Sequence, residues 1–136
     1  MPLQSQSFFN EYARAYESYK AEAVAEMYLL PAIIMSDDQK NVFTSYDDII
    51  AAVDQLMDKL QSIGVVLFEA DVCQTMRLSE NILFSHVKWV FSNEEEQALF
   101  TCFVSYTLQF ENESLKIIVS VIDDEERELE KLIFPS

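Results

Sequence analysis

Two cysteines, one histidine, one glycine and nine basic residues are all that this chain of 136 residues carries of each. Cys73 and Cys102 are too few for a disulfide framework, as expected of a protein in a reducing compartment. Nine Lys and Arg stand against twenty-four Asp and Glu, a formal net charge of −15. Nucleic-acid binding draws on Lys and Arg to displace counterions, and anionic lipid repels an acidic surface, so neither nucleic acid nor membrane is an expected partner. The plain reading of the charge is solubility; the sharper one is attraction to a basic partner. No apolar run approaches the roughly 20 residues that cross a membrane as a helix. The opening MPLQSQSFFNEY has no basic region followed by an apolar stretch, so no signal peptide is expected and the cytoplasm is the expected location.

Apolar residues are what the chain has in quantity. Half of it is hydrophobic and 12% aromatic, a globular composition and not a disordered one. The length suits one domain over 1–136 with a sizeable core. Residues 6–28 place Phe8, Phe9, Tyr12, Ala15, Tyr16, Tyr19, Ala23, Met27 and Tyr28 mostly three or four apart, which predicts an amphipathic helix. Pro31 cannot continue it. Two short extended pieces, 32–36 and 41–44, flank a polar turn. Ser45 is the expected N-cap of a second helix, with Asp48 three residues on. Its apolar stripe is Ile49, Ile50, Val53, Leu56, Met57 and Leu60. Gly64 ends it where a left-handed C-cap wants glycine.

Beyond Gly64 the texture alternates in long runs, 65–78, 82–92, 97–110 and 115–123, separated by short polar turns. This predicts an antiparallel meander. The last stretch, DDEERELEKLIFPS, is expected to form a short helix with Leu129, Leu132 and Ile133 on one side. Pairing Phe91 with Ala98, Phe110 with Leu115 and Met76 with Leu83 gathers one apolar face: Phe68, Ala70, Val72, Trp89, Phe100, Cys102, Val104, Tyr106, Leu108, Ile117, Val119 and Val121. That face must be covered, most simply by the helices. His86 is three residues from Trp89 and so lies on the other face. Cys73 beside His86 makes two metal-type ligands without a third, so no metal is expected. No cofactor is expected either. The outer face is half apolar, through Val90, Leu99, Phe103, Ile118 and Ile122, which suggests burial against a second copy.

The order helix, short hairpin, helix, long meander, carried by YARAYESYKAEAVAEMYLLPAIIMSDD, TSYDDIIAAVDQLMDKLQSIG and SYTLQFENESLKIIVSVI, resembles the nuclear transport factor 2-like (cystatin-like, SnoaL-like) superfamily. The resemblance implies an α+β cone-shaped half-barrel. A curved, mostly antiparallel sheet would hold the N-terminal helices on its concave face, enclosing a pocket, and its convex face would often form a dimer. It includes isomerases, hydratases, cyclases and binding modules, so fold alone does not choose a function. In the isomerases a first-helix tyrosine donates to a substrate oxygen, and Tyr12 matches it. The general-base aspartate falls on Ser36, which cannot abstract a carbon-bound proton as a carboxylate would. The second acid falls near Tyr106. The ligand-pocket candidates are therefore Tyr12, Tyr16, Tyr28, Trp89 and Tyr106, with Gln74 as an inward polar group and Asp123 at the rim. The dimer-face candidates are His86, Val90, Phe103, Ile118 and Ile122. Three functional readings follow: a homodimer binding a small apolar or aromatic molecule, an enzyme using tyrosine hydroxyls as acids, and a non-catalytic protein-interaction module.

Overall fold

The computed structural model describes residues 2–123, with side chains from residue 4 onward; the short helix expected after Asp123 lies outside the described residues. The first helical segment is split. Helix α1 runs Pro2–Glu17 and buries Phe8, Phe9, Tyr12 and Ala13. It stops well before Pro31, because Tyr19 takes a left-handed φ of 54°. The Tyr19 hydroxyl donates to the Val65 carbonyl and its ring meets Phe68. These tertiary contacts hold a conformation disfavoured for a residue with a Cβ. A short α2 (Ala21–Ala25) follows.

Strand β1 (Tyr28–Met35) therefore begins earlier than the extended piece expected at 32–36. It passes through a cis Leu30–Pro31 bond. Its pairing with the last strand is interrupted between Tyr28 and Ile33, so the missing N–H of Pro31 removes no ladder bond there. β2 (Lys40–Phe43) pairs back on it. Helix α3 (Tyr46–Ser62) is capped as expected: the Asp48 N–H donates to Ser45 Oγ at 3.2 Å. It buries Ile49, Val53, Leu56, Met57 and Leu60. Gly64 closes it at φ 90°.

The meander is β3 (Leu67–Arg77), β4 (Ile82–Ser92), β5 (Ala98–Glu111) and β6 (Ser114–Asp123). The strands form one curved, open six-stranded sheet in the order β2-β1-β6-β5-β4-β3. Only the β1–β6 pair is parallel. The helices cover the concave face, and the core sits between them and the sheet. The fold is α+β.

Three irregularities set which residues face inward. Phe91 pairs with Phe100, not Ala98, because the 93–97 loop joins Ser92 to Ala98 and Leu99 is then left over. The two-residue offset leaves the faces of β5 as expected. Elsewhere one extra residue inverts them. On β3, Val72 pairs with Val87 but Gln74 pairs with His86. On β6, Leu108 pairs with Ile117 but Thr107 pairs with Val119. Past these points Gln74 is turned outward and exposed, Ser120 and Ile122 are buried, and Val119 and Val121 leave the inner face.

Polar side chains of α1 close the free edge of β3. Gln6 donates to the Ala70 carbonyl at 2.9 Å and accepts from the Val72 N–H at 3.0 Å. Arg14 donates to the Phe68 carbonyl at 2.9 Å, and Glu17 accepts the Phe68 N–H at 2.9 Å. Arg14 and Glu17 also pair with each other at 2.9 Å. The helix thus stands in for a seventh strand along an edge that would otherwise offer bare backbone groups.

Candidate functional site

Inward alternation on β4 and β5, the stripe of α1 and the start of β1 bring aromatic side chains to one place. They surround a cavity of about 400 Å³. Tyr12 and Tyr16 come from α1, Tyr28 from β1, Trp89 from β4, Tyr106 from β5, and Val53, Leu56 and Leu60 from α3. Lys40, Asn41 and Val42 of β2 and Asp48 and Gln55 of α3 are lining residues that remain exposed, so the mouth opens between β2 and α3.

Tyr16 and Tyr106 meet the Tyr12 ring edge-on, with centroids 5.2 Å and 6.1 Å away, and Trp89 meets it at a tilt, 6.0 Å away. Their polar tips are linked in pairs. Trp89 Nε1 donates to the Tyr106 hydroxyl at 2.9 Å. The Tyr12 and Tyr28 hydroxyls are 2.6 Å apart. Ser120 Oγ is buried on the same wall and makes no hydrogen bond of normal geometry, although it lies near enough to the Tyr28 hydroxyl to temper its pKa. Outside the cavity the Tyr46 hydroxyl donates to the Tyr28 carbonyl at 2.9 Å and fixes the start of β1.

Burial is the main reason that the Tyr12, Tyr16, Tyr28 and Tyr106 hydroxyls all ionise above the ordinary phenol range. For Tyr12 the neighbouring Tyr16, Tyr28 and Tyr106 add to the rise; for Tyr106, Tyr28 and Tyr16 do so. These groups are neutral hydrogen-bond donors at physiological pH, not bases. Among the described residues the only carboxylate lining the cavity is Asp48, at the exposed mouth. The described part of the interior can therefore orient or polarise an acceptor atom, and among the described residues it holds no group suited to removing a proton from carbon.

Of the residues singled out from sequence, Tyr12, Tyr16, Tyr28, Trp89 and Tyr106 line this cavity. Gln74 and Asp123 do not: both are exposed, paired with His86 and Phe103 respectively. The extra residue in β3 turns Gln74 away, and the one in β6 does the same to Asp123. Ile122, placed on the dimer face by alternation, lines the cavity instead. His86, Val90 and Phe103 do lie on the convex face, and Ile118 sits half-buried where the β6 pairing shifts. His86 stacks on Phe103 with centroids 5.1 Å apart, and its Nδ1 is 2.9 Å from Ser105 Oγ. It has no access to the Trp89 side. Sequence reasoning missed Ser120, and no glycine or proline near Ile118 signals the change of face. Cys73 is exposed and Cys102 buried, and neither takes part in a disulfide. Among the described residues no group of three or more His, Cys, Asp or Glu converges as a metal site requires, and no helix is long and apolar enough to cross a membrane.

Comparison with known proteins places this geometry. The family described as NTF2-like protein (DUF6841) matches residues 4–125. No curated protein matches the chain. An NTF2-like protein of unknown function from Shewanella oneidensis superposes with a TM-score of 0.73 at 13% identity, over 91% of this chain and 100% of its own. A domain of unknown function with a cystatin-like fold from Nostoc punctiforme gives 0.72 at 13% identity, over 89% and 75% of the two chains. Aln2 from a Streptomyces species gives 0.72 at 14% identity, over 91% and 90%. At such identity the likeness is one of fold.

Proposed function

Because this chain belongs to the NTF2-like family DUF6841, whose fold hosts both enzymes and binders, we propose on the evidence of its own cavity that it is a binding protein for a small apolar or aromatic molecule. One observation carries the reading: a cavity of about 400 Å³ walled by Tyr12, Tyr16, Tyr28, Trp89 and Tyr106 that stays open between β2 and α3. The volume is that of a small-molecule site, and a mostly apolar wall with a few polar tips is how such sites bind and orient a ligand. An enzyme using tyrosine hydroxyls as acids is the weaker reading, because among the described residues no base accompanies them inside. The test is a crystal structure and native mass spectrum of protein purified from cells. Density beside Tyr12 and Tyr106, with a matching added mass, supports the reading. A cavity collapsed onto its own side chains, with no bound mass, would sink it.

A second observation supports self-association. The convex face exposes Leu99 at 41% and Phe103 at 37%, flanked by the half-buried Val90, Val119 and Val121. Antiparallel sheets with one wet face carry polar residues there. A homodimer through this face is part of the proposal, and it leaves the mouth, on the other side of the sheet, free.

A further inference from the structure

The cavity has an aromatic interior and a charged mouth, and the two suit different parts of one ligand. Its aromatic wall includes Tyr16, Phe68, Trp89 and Phe91, and among the described residues the only cationic side chain lining it is Lys40, exposed at the mouth. Ser120 lines the same cavity at 4% exposure, and its Oγ makes no hydrogen bond of normal geometry. Buried polar groups are ordinarily satisfied, so a hydroxyl left in this state marks a wall completed by an occupant.

The elements that border the mouth are acidic. From Asp37, in the turn before β2, to Ser62, at the end of α3, the chain carries six Asp and two Lys. Asp48 lines the mouth itself, exposed in the first turn of α3. Among the described residues no ion pair neutralises it. The whole chain adds a formal charge of −15. Such a field repels anions and concentrates cations at an opening. An ammonium group beside Asp48 stays in contact with water and so avoids the cost of burying a charge. Aromatic rings favour the same sign, because the face of each ring is negative.

We propose that the ligand is an organic cation, with an aromatic or apolar body inside the cavity and an ammonium group at the mouth paired with Asp48. This rests on the binding reading above and adds the ligand's charge and the residue that reads it. Lys40, on the β2 side of the mouth, repels the ammonium and so favours its placement on the α3 side. The body supplies most of the affinity by burial, and the charge supplies the selection.

The test uses one body with three charges: 4-tert-butylbenzylammonium, 4-tert-butyltoluene and 4-tert-butylbenzoate. Affinities for the full chain are read from the fluorescence of Trp89, the single tryptophan of the sequence, at low and high salt. The expected order is ammonium tightest, by about fivefold over the toluene, and benzoate weakest, with the differences shrinking as salt rises. Asp48→Asn should remove most of the ammonium's advantage over the toluene, and Lys40→Gln should widen it. Both positions are exposed, and circular dichroism checks that each variant is folded. Equal affinities for the three, a benzoate that binds tightest, or an ammonium advantage that survives Asp48→Asn in full would overturn the cation assignment and leave the pocket standing. Failure of all three molecules to bind would overturn the pocket reading, and this assignment with it.

Discussion

Trp89 and His86 sit three residues apart on one strand, and their surroundings are opposite. Trp89 is 3% exposed, packs against Tyr12 and Phe91 and donates to Tyr106. His86 lies half-buried on the convex face against Phe103. Trp89→Ala should lower stability by about 3–5 kcal/mol, through lost burial and the cavity left behind. His86→Ala should stay within about 0.5 kcal/mol, as surface changes do. Urea denaturation of both variants measures the contrast, and equal losses would refute this assignment of faces. The buried tyrosines make a second prediction. Their pKa values are raised in the folded chain, whereas unfolded tyrosine titrates near pH 10. Below about pH 10 both states hold these protons and stability does not depend on them. Above it the unfolded chain loses protons that the folded chain keeps, so stability falls as pH rises toward the folded values. Phenolate absorbance from the cluster should therefore appear together with loss of near-ultraviolet circular dichroism. Ionisation of all tyrosines near pH 10 in a folded protein would contradict the burial.

The elements show where local patterns suffice. Helix α3 follows from its own residues: an apolar stripe, Ser45 at one end and Gly64 at the other. Its boundaries were legible because capping is a local interaction. The first helix was not, because its break at Tyr19 depends on the Val65 carbonyl and Phe68, both far along the chain. The meeting of α1 with the β3 edge is equally non-local. Gln6→Ala removes two hydrogen bonds to β3, at Ala70 and Val72. It should cost about 1–3 kcal/mol and expose edge backbone, which invites strand pairing between molecules. Chemical denaturation combined with light scattering at raised concentration tests both effects. An unchanged midpoint with no added scattering would mean that α1 does not protect this edge.

At the scale of the whole molecule, one sheet serves two purposes: its concave face encloses the cavity and its convex face is the proposed contact with a second copy. Leu99→Glu with Phe103→Glu should give a monomer by sedimentation velocity while leaving the Trp89 environment intact by fluorescence. Dimers that persist in this variant would rule out the convex face, and a monomeric unaltered chain would rule out the dimer. By itself the sequence determined the α+β class, the order of elements apart from the short α2, the polarity of the two sheet faces up to each irregularity, and the inward aromatics Tyr12, Trp89 and Tyr106. Those features rest on periods of 3.6 and 2 and on caps, which are written in neighbouring residues. Only the tertiary structure decided that Gln74 turns out and that Ser120 and Ile122 turn in, and it alone brought Tyr28 to the wall from a strand instead of a helix. Each of these depends on one inserted residue or one left-handed residue, held in place by packing against distant parts of the chain and marked by no glycine or proline of its own.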